Sequence, residues 1–493
     1  MWIRALYLLL STGLSFFASF FIPVINTDEG GWATMAKYTF KHSLYTAVID
    51  HKPPFLFQFH WLLSGGESSL ILLHIMTALW MFLGALAFYY VLNFFLDERK
   101  AFFGALLFSL LSGVVNYGTF CPERFYLPFI LFAALMAVRI LKTDSLKSQI
   151  MNALLLGAFV GAAGCIKQPA FLMSLVPFWI LLKKGIPRAA ILSSVAVVSL
   201  LVFTWISWLL VEVPFSTIWS EAYQANFRYI HSRKELPAEH WKAVFDNILI
   251  VLGVGYLSIV LGSLLFITRL KQFIFPVRDR LFNMASILLL LFTSIWMVSM
   301  GGRYYQNYMI ILLPLLCLLT TMAVDWNSKL RKALTALAFL TAVGYVSFTL
   351  TQQLRDKNKN WDSQVKQVIE SVKKDTSPTD SIWLHHAIPS IYYMTDRAPA
   401  TRFLYFMHTI DYVDVCVAPE SDLKEDLNND RYQTLLQDLR AAKPKVIFWV
   451  HRHINTCADR LKLENFPTIE VMIKTDYTKA WSNALGTYYL RKS

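Results

Sequence analysis

Residues 69–100 read SLILLHIMTALWMFLGALAFYYVLNFFLDERK, a mostly apolar run that ends in a short charged cluster. The run exceeds the ~20 residues that an α-helix needs to cross a bilayer. The charged cluster at 97–100 is typical of a short loop that holds a membrane helix in one orientation. This stretch predicts a membrane-spanning helix, and the chain repeats its pattern on both sides.

The composition agrees with a membrane protein. Of 493 residues, 56% are hydrophobic and 16% are charged, whereas soluble proteins carry roughly a quarter charged residues. A net charge of +13 would suit nucleic acid, but the basic residues gather in short clusters between apolar runs, where they set topology. We therefore expect a polytopic membrane protein that contacts membrane lipids and no nucleic acid.

Eleven apolar runs are long enough to span, and the basic clusters fall between alternate pairs of them. The predicted spans are 2–24, 69–96, 101–117, 124–141, 150–166, 169–182, 189–211, 244–268, 281–300, 304–324 and 333–351. The first run lacks a small-residue cleavage site, so we expect a span there rather than a signal peptide. Basic loops lie in the cytoplasm, which places loops 25–68 and 212–243 and the tail on the outer side.

The tail has a different composition from the rest of the chain. Its apolar segments SIWLHH (381–386) and KVIFWV (445–450) predict strands, and RYQTLLQDLRAAK (431–443) predicts a helix between them. The sequence therefore predicts a mainly α polytopic membrane domain at 1–351 and a small α/β extracytoplasmic domain at 352–493. The expected location is the bacterial inner (plasma) membrane.

The five cysteines and the lack of a nucleotide motif add smaller constraints. Cys121, Cys165 and Cys317 lie in or beside apolar runs, where a small buried hydrophobe is the expected role. Cys416 and Cys457 lie in the tail and can pair if it faces an oxidising compartment. The chain shows no glycine-rich phosphate loop, which argues against an ATP-driven pump within this chain.

The first outer loop begins with TDEGGW at 27–32. The apolar residues at helical spacing after it are Trp32, Met35, Ala36 and Phe40. This spacing predicts an interfacial amphipathic helix with Lys37 and Lys41 turned towards water. Asp28 and Glu29 would lie at its positive N-terminal end, which favours carboxylates. The local pattern leaves two roles open for the acids, helix capping and catalysis.

The segment DHKPPFLFQFHW at 50–61 places His51 and Lys52 before two prolines. The prolines stiffen the backbone and prevent an early helix start. A lysine held there can meet a lipid phosphate or simply extend to the headgroups.

Further polar residues interrupt the apolar pattern on the predicted outer side. Glu123 and Arg124 stand at the start of the fourth span, and Lys167 stands in a turn with hardly any other polar residue. A lysine there is costly unless it reaches water, an anion or an acidic partner. The segment WSEAYQANFRY (219–229) predicts another interfacial helix and contains Arg228, while Arg303 and Tyr308 fall in GGRYYQNY.

No residue spacing is diagnostic of a metal site, so a divalent metal ion stays open as a cofactor and none is certain. The side chains that could hold one are His42, His51, Glu29 and Glu123.

These segments together resemble the GT-C class of membrane glycosyltransferases, and most of all the branch of protein O-mannosyltransferases and lipid A aminoarabinose transferases. The matching segments are TDEGGWATMAKYTFKHS, HKPPFLF, TFCPERFYLPFILFAAL, AAGCIKQPAF, RYYQNYMIILLPLLCLL and DSIWLHHAIPSIYYMTDRAPATRF. They follow the family's order over most of the chain.

The resemblance implies an inverting sugar transfer on the outer face, from a polyprenyl-phosphate donor to a hydroxyl or phosphate of an envelope lipid, glycan or protein. It implies that Asp28 is the general base and that Glu123 is a second catalytic acid with an acceptor-binding or metal-supporting role. The donor phosphate would be bound by Lys52, Lys167, Arg303 and Tyr308. Supporting roles would fall to Glu29, His51 and Arg228.

Two departures from the pattern and one rival function qualify the resemblance. The aminoarabinose transferases carry an arginine three residues after the first acid, where this chain has Gly31. The Trp-Trp-Asp motif of oligosaccharyltransferases is missing. A multi-span transporter or flippase is the alternative, although transporters usually show two related halves and broken helices near the bilayer midplane.

Overall fold

The structure is a computed structural model that describes residues 2–21, 27–39, 44–66, 69–114, 120–231, 277–299, 306–323, 329–356, 360–386, 388–410, 415, 418–451 and 457–492. The chain divides into two compact units. The bundle unit comprises Met1–Phe21, Ile71–Ser207 and Leu236–Arg355, and the sheet unit comprises Ile22–Leu70, Trp208–Glu235 and Asp356–Ser493.

Helices dominate the described residues. In chain order they are α1 (Trp2–Phe16), α2 (Thr27–Tyr38), α3 (Pro54–Ser64), α4 (Leu70–Phe95), α5 (Glu98–Leu111), α6 (Pro122–Lys142), α7 (Leu146–Ile166), α8 (Ala170–Met173), α9 (Leu175–Leu181), α10 (Ile186–Leu209), α11 (Phe215–Ile218), α12 (Ala225–His231), α13 (Val277–Ser299), α14 (Leu313–Ala323), α15 (Lys329–Asp356), α16 (Asn360–Asp375), α17 (Ser390–Thr395), α18 (Asp430–Ala442) and α19 (Pro467–Asp476). The strands are β1 (Ser381–Leu384), β2 (Ala398–Pro399), β3 (Val446–Val450), β4 (Tyr477–Ser482) and β5 (Gly486–Arg491).

Five apolar helical segments in the described part are long enough to cross a bilayer. They are Trp2–Phe21, Leu70–Phe95, Pro122–Lys142, Leu146–Ile166 and Ile186–Leu209. On α10 the outward-facing side chains are as apolar as the inward ones; Leu201 and Trp205 are 59% and 60% exposed. Such a surface suits lipid rather than water as its solvent.

Other predicted spans correspond to shorter or broken helices. The predicted span 169–182 is divided into α8 and α9, and 304–324 begins as a 3₁₀-helix, Gln306–Leu312, before α14. The predicted span 244–268 lies outside the described residues. A mainly helical membrane protein with a small sheet domain is therefore confirmed, while the number of eleven spans stays a prediction.

Local sequence signals fix several helix ends in the bundle unit. Asp97 caps α5 by accepting a hydrogen bond from the backbone N–H of Lys100 at 3.0 Å. Pro122 occupies the first turn of α6, where its missing N–H costs nothing. Glu123 follows it in the same first turn. Pro122 thus starts α6 at a point that places Glu123 in its first turn.

Small residues let α7 and α10 pack closely. A Cβ on Gly157 would lie 1.9 Å from the carbonyl oxygen of Ala196, and a Cβ on Gly161 would lie 3.1 Å from that of Leu200. Close approach of helices at small residues is how membrane helices gain van der Waals contact. The buried side chains of α6 and α9 complete this packing layer. Cys121, Cys165 and Cys317 are free and buried, as predicted.

The sheet unit contains one mixed sheet with strand order β2-β1-β3-β5-β4. β1 pairs in parallel with β2 and β3, whereas β5 pairs antiparallel with both β3 and β4. Trp383 on β1 and Trp449 on β3 are buried in its core beside α18 and α19. The predicted strands and the predicted helix 431–443 are confirmed as β1, β3 and α18, while the β4–β5 hairpin was missed by sequence reasoning.

Two further details of the tail are the N-terminal cap of α18 and the predicted disulfide. Asn429 caps α18 by accepting hydrogen bonds from the N–H groups of Arg431 and Tyr432 at 2.9 and 3.1 Å. Cys416 lies outside the described residues, so its pairing with Cys457 stays a prediction.

Candidate active site

The segment TDEGGW forms the first turns of α2 in the sheet unit. Asp28 and Glu29 lie in the first turn, as predicted, where the helix dipole favours carboxylates. Asp28 is exposed and Glu29 is fully buried. The two acids therefore differ in access to solvent, and only Asp28 is open to a substrate.

The two glycines that follow allow α2 to pack against its neighbours in the sheet unit. A Cβ on Gly30 would lie 2.5 Å from the backbone of Ser390, and a Cβ on Gly31 would lie 1.9 Å from the hydroxyl oxygen of Tyr405. Real side chains do not approach so closely. Tyr405 fills the space beside position 31, so an arginine cannot stand there without moving it.

One expectation about this helix was wrong. Trp32, Met35 and Ala36 are buried, as predicted, but only 17% of the Lys37 side chain is exposed, so it does not extend into water. The Lys37 ammonium lies 2.8 Å from Asp396 and 3.3 Å from the carbonyl oxygen of Tyr393. The acidic residue after α17 holds the lysine against the protein. Phe40 and Lys41 lie outside the described residues.

The segment 49–52 is fixed by pairing with a distant part of the same unit. Ile49 pairs in parallel with Phe403, and its N–H donates to the carbonyl oxygen of Arg402 at 2.8 Å. Pro53 and Pro54 then start α3, as the sequence predicts. Lys52 is therefore held between a paired backbone segment and a helix start.

Asp50 organises the polar groups around Lys52, and sequence reasoning missed it. The Asp50 carboxylate accepts a hydrogen bond from the Lys52 backbone N–H at 3.2 Å and lies 3.2 Å from His51 Nδ1. The ammonium of Lys52 contacts His51 Nε2. Burial raises the pKa of Asp50 to about 6, the Lys52 charge lowers it, and the Asp28 charge raises it. The charges of Asp28 and Lys52 thus both act on the Asp50 carboxyl, in opposite directions.

His408 adds a second imidazole to this group. Its ring lies 5.9 Å from that of His51, and ligand atoms of Asp50, His51 and His408 all lie within 4.8 Å of one another. Burial lowers the pKa of His408 to about 3, the charges of Arg431 and Lys52 act in the same direction, and a hydrogen bond to the Ile49 backbone opposes them. The ring is therefore neutral, as a metal ligand must be.

These three side chains fit a divalent metal such as zinc, which takes histidine nitrogens and carboxylate oxygens in proteins. The hydrogen bond between His408 and the Ile49 backbone is the kind of outer contact that orients a metal-binding imidazole. The Lys52 ammonium competes for the same His51 ring. Of the predicted metal residues, only His51 belongs to this group; His42 lies outside the described residues.

Residues of the predicted second outer loop form hydrogen bonds with other segments of the sheet unit. Its segment 219–229 is helical, as predicted, although Trp219–Gln224 is a π-helix. Glu221 accepts a hydrogen bond from Arg431 at 2.7 Å, and the Asn226 amide donates to the carbonyl oxygen of His51. Arg228 is exposed on α12.

A separate polar group lies in the bundle unit. Lys167 forms an ion pair with the fully buried Glu123, so of the three expected ways to stabilise this lysine (water, an anion or an acidic partner) the structure shows the acidic partner. Asn307 donates to the other oxygen of Glu123 at 2.9 Å, and the Lys167 ammonium lies 3.7 Å from the centre of the Tyr308 ring. Sequence reasoning missed Asn307.

Arg124, the neighbour of Glu123 in sequence, is fully buried in the same unit. Its Nε donates to the carbonyl oxygen of Ser112 at 3.2 Å, and its guanidinium lies 5.4 Å from the centre of the Phe16 ring. Arg303 lies outside the described residues. Among the predicted site residues that the structure describes, those in the sheet unit are Asp28, Glu29, His51, Lys52 and Arg228, and those in the bundle unit are Glu123, Lys167 and Tyr308.

Comparison with known proteins gives one consistent fold. Residues 51–208 match the family of dolichyl-phosphate-mannose-protein mannosyltransferases. The structure is similar to that of ArnT from Cupriavidus metallidurans bound to undecaprenyl phosphate, with 14% identity and a TM-score of 0.65 over 99% of this chain and 97% of that chain. ArnT in the apo state gives 13% identity and a TM-score of 0.66 over the same shares.

A more distant likeness extends to an archaeal enzyme. The apo oligosaccharyltransferase from Archaeoglobus fulgidus shows 11% identity and a TM-score of 0.57, over 99% of this chain and 74% of that chain. No curated protein sequence matches the chain significantly. The chain has the fold of these glycosyltransferase structures, which confirms the fold class predicted from the sequence.

Proposed function

We propose that the protein is an inverting glycosyltransferase that moves a sugar from a polyprenyl-phosphate donor to a hydroxyl of an envelope lipid, glycan or protein acceptor. The observation that carries the proposal is the group around the buried Asp50, where the Lys52 ammonium is held against His51 and the charge of the exposed Asp28 also acts on Asp50. The match to the mannosyltransferase family and the likeness to ArnT bound to undecaprenyl phosphate support the same donor class.

In this proposal Asp28 has the role of general base. The acceptor oxygen attacks the anomeric carbon as its proton passes to the Asp28 carboxylate, and the bond from that carbon to the phosphate oxygen breaks. A single displacement inverts the anomeric carbon and releases the polyprenyl phosphate. The exposure of Asp28 at the start of α2 suits contact with an acceptor, whereas Glu29 is buried and supports the helix start.

Lys52 has the complementary role at the leaving group. Negative charge grows on the phosphate oxygen as the sugar departs, and a fixed ammonium stabilises that charge. The Lys52 ammonium contacts His51, and the Lys52 backbone N–H donates to Asp50, so this residue is positioned before the donor arrives. His51 therefore acts as a positioning residue in this proposal.

In the bundle unit, Glu123, Lys167 and Tyr308 have proposed roles in binding the donor or the acceptor, as does Arg303. Since Glu123 neutralises Lys167, we assign Lys167 hydrogen-bond donation to the donor phosphate rather than a net positive charge. Asn307 fixes the Glu123 carboxylate from a third segment. Arg228 remains a supporting contact on the exposed face of α12.

A divalent metal ion bound at the group of Asp50, His51 and His408 would have one chemical role. Asp50, His51 and His408 would hold the ion, and a divalent cation near the departing phosphate would add electrostatic stabilisation. The acid-base step assigned to Asp28 does not depend on it. The proposed membrane is the bacterial inner membrane, with the sheet unit outside the cytoplasm.

The test compares envelope lipids, glycans and proteins by mass spectrometry in the wild type, a deletion strain and strains with Asp28→Asn or Lys52→Gln. We expect one hexose-sized or amino-sugar-sized unit to be lost in the deletion and Asp28→Asn strains. For Lys52→Gln we expect transfer by the purified protein to fall by a factor of about 100 or more. Asp422→Asn and Lys424→Gln, both at exposed positions of the sheet unit, are matched controls.

Two results would contradict the proposal. Unchanged glycosylation with a normally folded Asp28→Asn protein would remove the base assignment. Movement of a solute across vesicles by the purified protein, with no sugar transfer from any polyprenyl-phosphate donor, would favour a transporter or flippase.

A further inference from the structure

The backbone of Lys52 is held on both sides by three side chains of the sheet unit. The peptide group between His51 and Lys52 is bonded at both ends. Its carbonyl oxygen accepts a hydrogen bond from the Asn226 amide, and its N–H donates to the Asp50 carboxylate at 3.2 Å. The carbonyl oxygen of Lys52 accepts a hydrogen bond from the Tyr45 hydroxyl. Both polar backbone groups of Lys52 therefore have a side-chain partner.

These bonds and the proline that follows restrict the two backbone dihedral angles of Lys52. Because peptide bonds are planar, only φ and ψ are soft in each residue. Asp50 and Asn226 fix the peptide plane on the N-terminal side, and Tyr45 fixes the carbonyl group on the C-terminal side. Pro53 disfavours helical backbone at the residue before it. The direction in which the Lys52 side chain leaves the backbone is therefore set before its ammonium meets a ligand.

Tyr45 has an unusual backbone conformation. Its φ is 67°, in the left-handed region that a bulky side chain rarely adopts. A short turn holds it there, since Leu44 bridges Val48 and the Tyr45 N–H donates to the carbonyl oxygen of Val48 at 2.8 Å. Conformations of this kind cluster at functional sites, where the surrounding structure over-determines them. The turn thus places the hydroxyl of a buried tyrosine at the Lys52 carbonyl.

Asn226 follows a second unusual element. Trp219–Gln224 is a π-helix, a rare element that is frequent at functional sites, and α12 begins directly after it. The Asn226 amide donates to the carbonyl oxygen of Ala222 at 2.7 Å as well as to that of His51. One side chain therefore joins the π-helix to the peptide group that precedes Lys52.

We propose that Tyr45 and Asn226 are positioning residues for sugar transfer, and that they act by fixing the direction of the Lys52 ammonium. This inference rests on the proposed role of Lys52 at the departing phosphate. An ammonium that is already fixed stabilises the charge that develops there without reorganisation during the reaction. Neither side chain needs to contact the donor, since each acts through the backbone beside Lys52.

The main test is a double-mutant cycle with the purified full-length protein. The donor is undecaprenyl phosphate carrying the sugar that the deletion strain lacks, and the acceptor is the envelope of that strain. We expect Tyr45→Phe and Asn226→Ala each to lower kcat about fivefold, as for one lost hydrogen bond, with the donor KM unchanged. In the Lys52→Gln background neither change should lower kcat further, because the ammonium that they position is gone.

Two variants with the same chemistry at other places are the matched controls. The Tyr477 hydroxyl donates to the carbonyl oxygen of Pro444 at 2.8 Å. The Asn152 amide donates to the carbonyl oxygen of Ser148, four residues before it, at 2.8 Å. Tyr477→Phe and Asn152→Ala should therefore remove bonds of the same kind and keep the wild-type kcat.

A second readout does not depend on sugar transfer. Acetylation of Lys52 by acetic anhydride at one fixed pH is followed by peptide mass spectrometry, with the exposed Lys424 as the internal reference. We expect Lys52 to be labelled up to about fivefold faster in Tyr45→Phe and Asn226→Ala than in the wild type. The reason is that a less restricted backbone lets the ammonium leave its contact with His51.

The two readouts distinguish this inference from the proposed function. Unchanged labelling of Lys52 in both variants would overturn the positioning role. Equal losses of kcat in the wild-type and Lys52→Gln backgrounds would overturn it too, because the two side chains would then act on folding and not through Lys52. Faster labelling in a protein that transfers no sugar from this donor would contradict the proposed function and still support the fixing of Lys52 by Tyr45 and Asn226.

Discussion

Lys167 forms an ion pair with Glu123, 44 positions away in sequence. Glu123 is fully buried, and the side chain of Lys167 is 15% exposed. The same carboxylate accepts a hydrogen bond from Asn307. An acid and a base are therefore buried together with their hydrogen bonds satisfied, which is the condition under which a buried ion pair is tolerated.

Removing one partner of this pair is expected to cost more than removing both. Glu123→Gln leaves the lysine without its counter-charge, and the loss of one partner of a buried pair costs about 3–5 kcal/mol. Lys167→Met with Glu123→Gln leaves no charge behind and should cost less. Thermal unfolding of the detergent-solubilised protein measures the difference.

The exposed pair of Arg4 and Glu98 provides the control in the same unit. Its carboxylate side chain is 55% exposed, so Glu98→Gln should change stability by only about 0–1 kcal/mol. If Glu123→Gln were no more destabilising than Glu98→Gln, the buried pair of Glu123 and Lys167 would not contribute to stability as predicted.

The contact between Gly31 and Tyr405 gives a second prediction. Gly31→Ala puts a Cβ against the Tyr405 hydroxyl, and overpacking of this kind costs about 1–3 kcal/mol. Tyr405→Leu removes the hydroxyl and the ring edge, so we expect Gly31→Ala to be tolerated better in that background. The free energy of unfolding of the two single variants and the double variant gives the coupling.

Gly13 on α1 is the matched control, because a Cβ there meets nothing within 4 Å. Gly13→Ala should be neutral or stabilising by up to about 1 kcal/mol. Additive effects of Gly31→Ala and Tyr405→Leu would show that the two residues do not meet.

The group of Asp50, His51 and His408 predicts metal binding. The purified wild type, loaded with zinc and desalted, should retain about one zinc per chain by elemental analysis, since three ligands of this type form a zinc site. His51→Ala with His408→Ala should retain none. His231→Ala is a control histidine on α12. A wild type that keeps no more zinc than the double variant would contradict the site.

The sequence identifies the elements well but not the residues that meet between distant segments. The apolar runs predict most of the helices because a bilayer demands a long apolar segment for each span. The acidic partner of Lys167 is predictable as a type of residue, since an ammonium in an apolar turn is costly. Asn307 is not, because nothing in its own segment marks it.

The group around Asp50 shows why contacts between distant segments were not predicted from the sequence. Asp50 and His51 meet His408 because Ile49 pairs with Phe403, and a two-residue backbone pairing has no periodicity to detect. Lys37 was expected to face water for the same reason, since its partner Asp396 lies 359 positions away. A Cβ on Gly31 would meet the hydroxyl of Tyr405, a contact that only the fold reveals.

His385 gives a prediction of pH dependence in the sheet unit. Its ring is buried and stacks on Trp449 with 3.6 Å between the ring centres, and neither ring nitrogen has a hydrogen-bond partner in the described part of the chain. Burial lowers the pKa of His385 well below 6.5, and His386 and His451 act in the same direction. The folded ring therefore stays neutral at pH values where the unfolded ring takes up a proton.

The sign of the effect follows from this difference in proton binding. Below about pH 6.5 the unfolded chain binds one more proton at His385 than the folded chain. The free energy of unfolding therefore decreases as the pH is lowered, by up to about 1.4 kcal/mol per pH unit. His385→Phe keeps a flat ring against Trp449 and has no proton to gain. We expect the unfolding temperature of the wild type to drop more between pH 7.5 and 5.5 than that of His385→Phe. Equal drops would mean that the protonation of His385 does not limit stability.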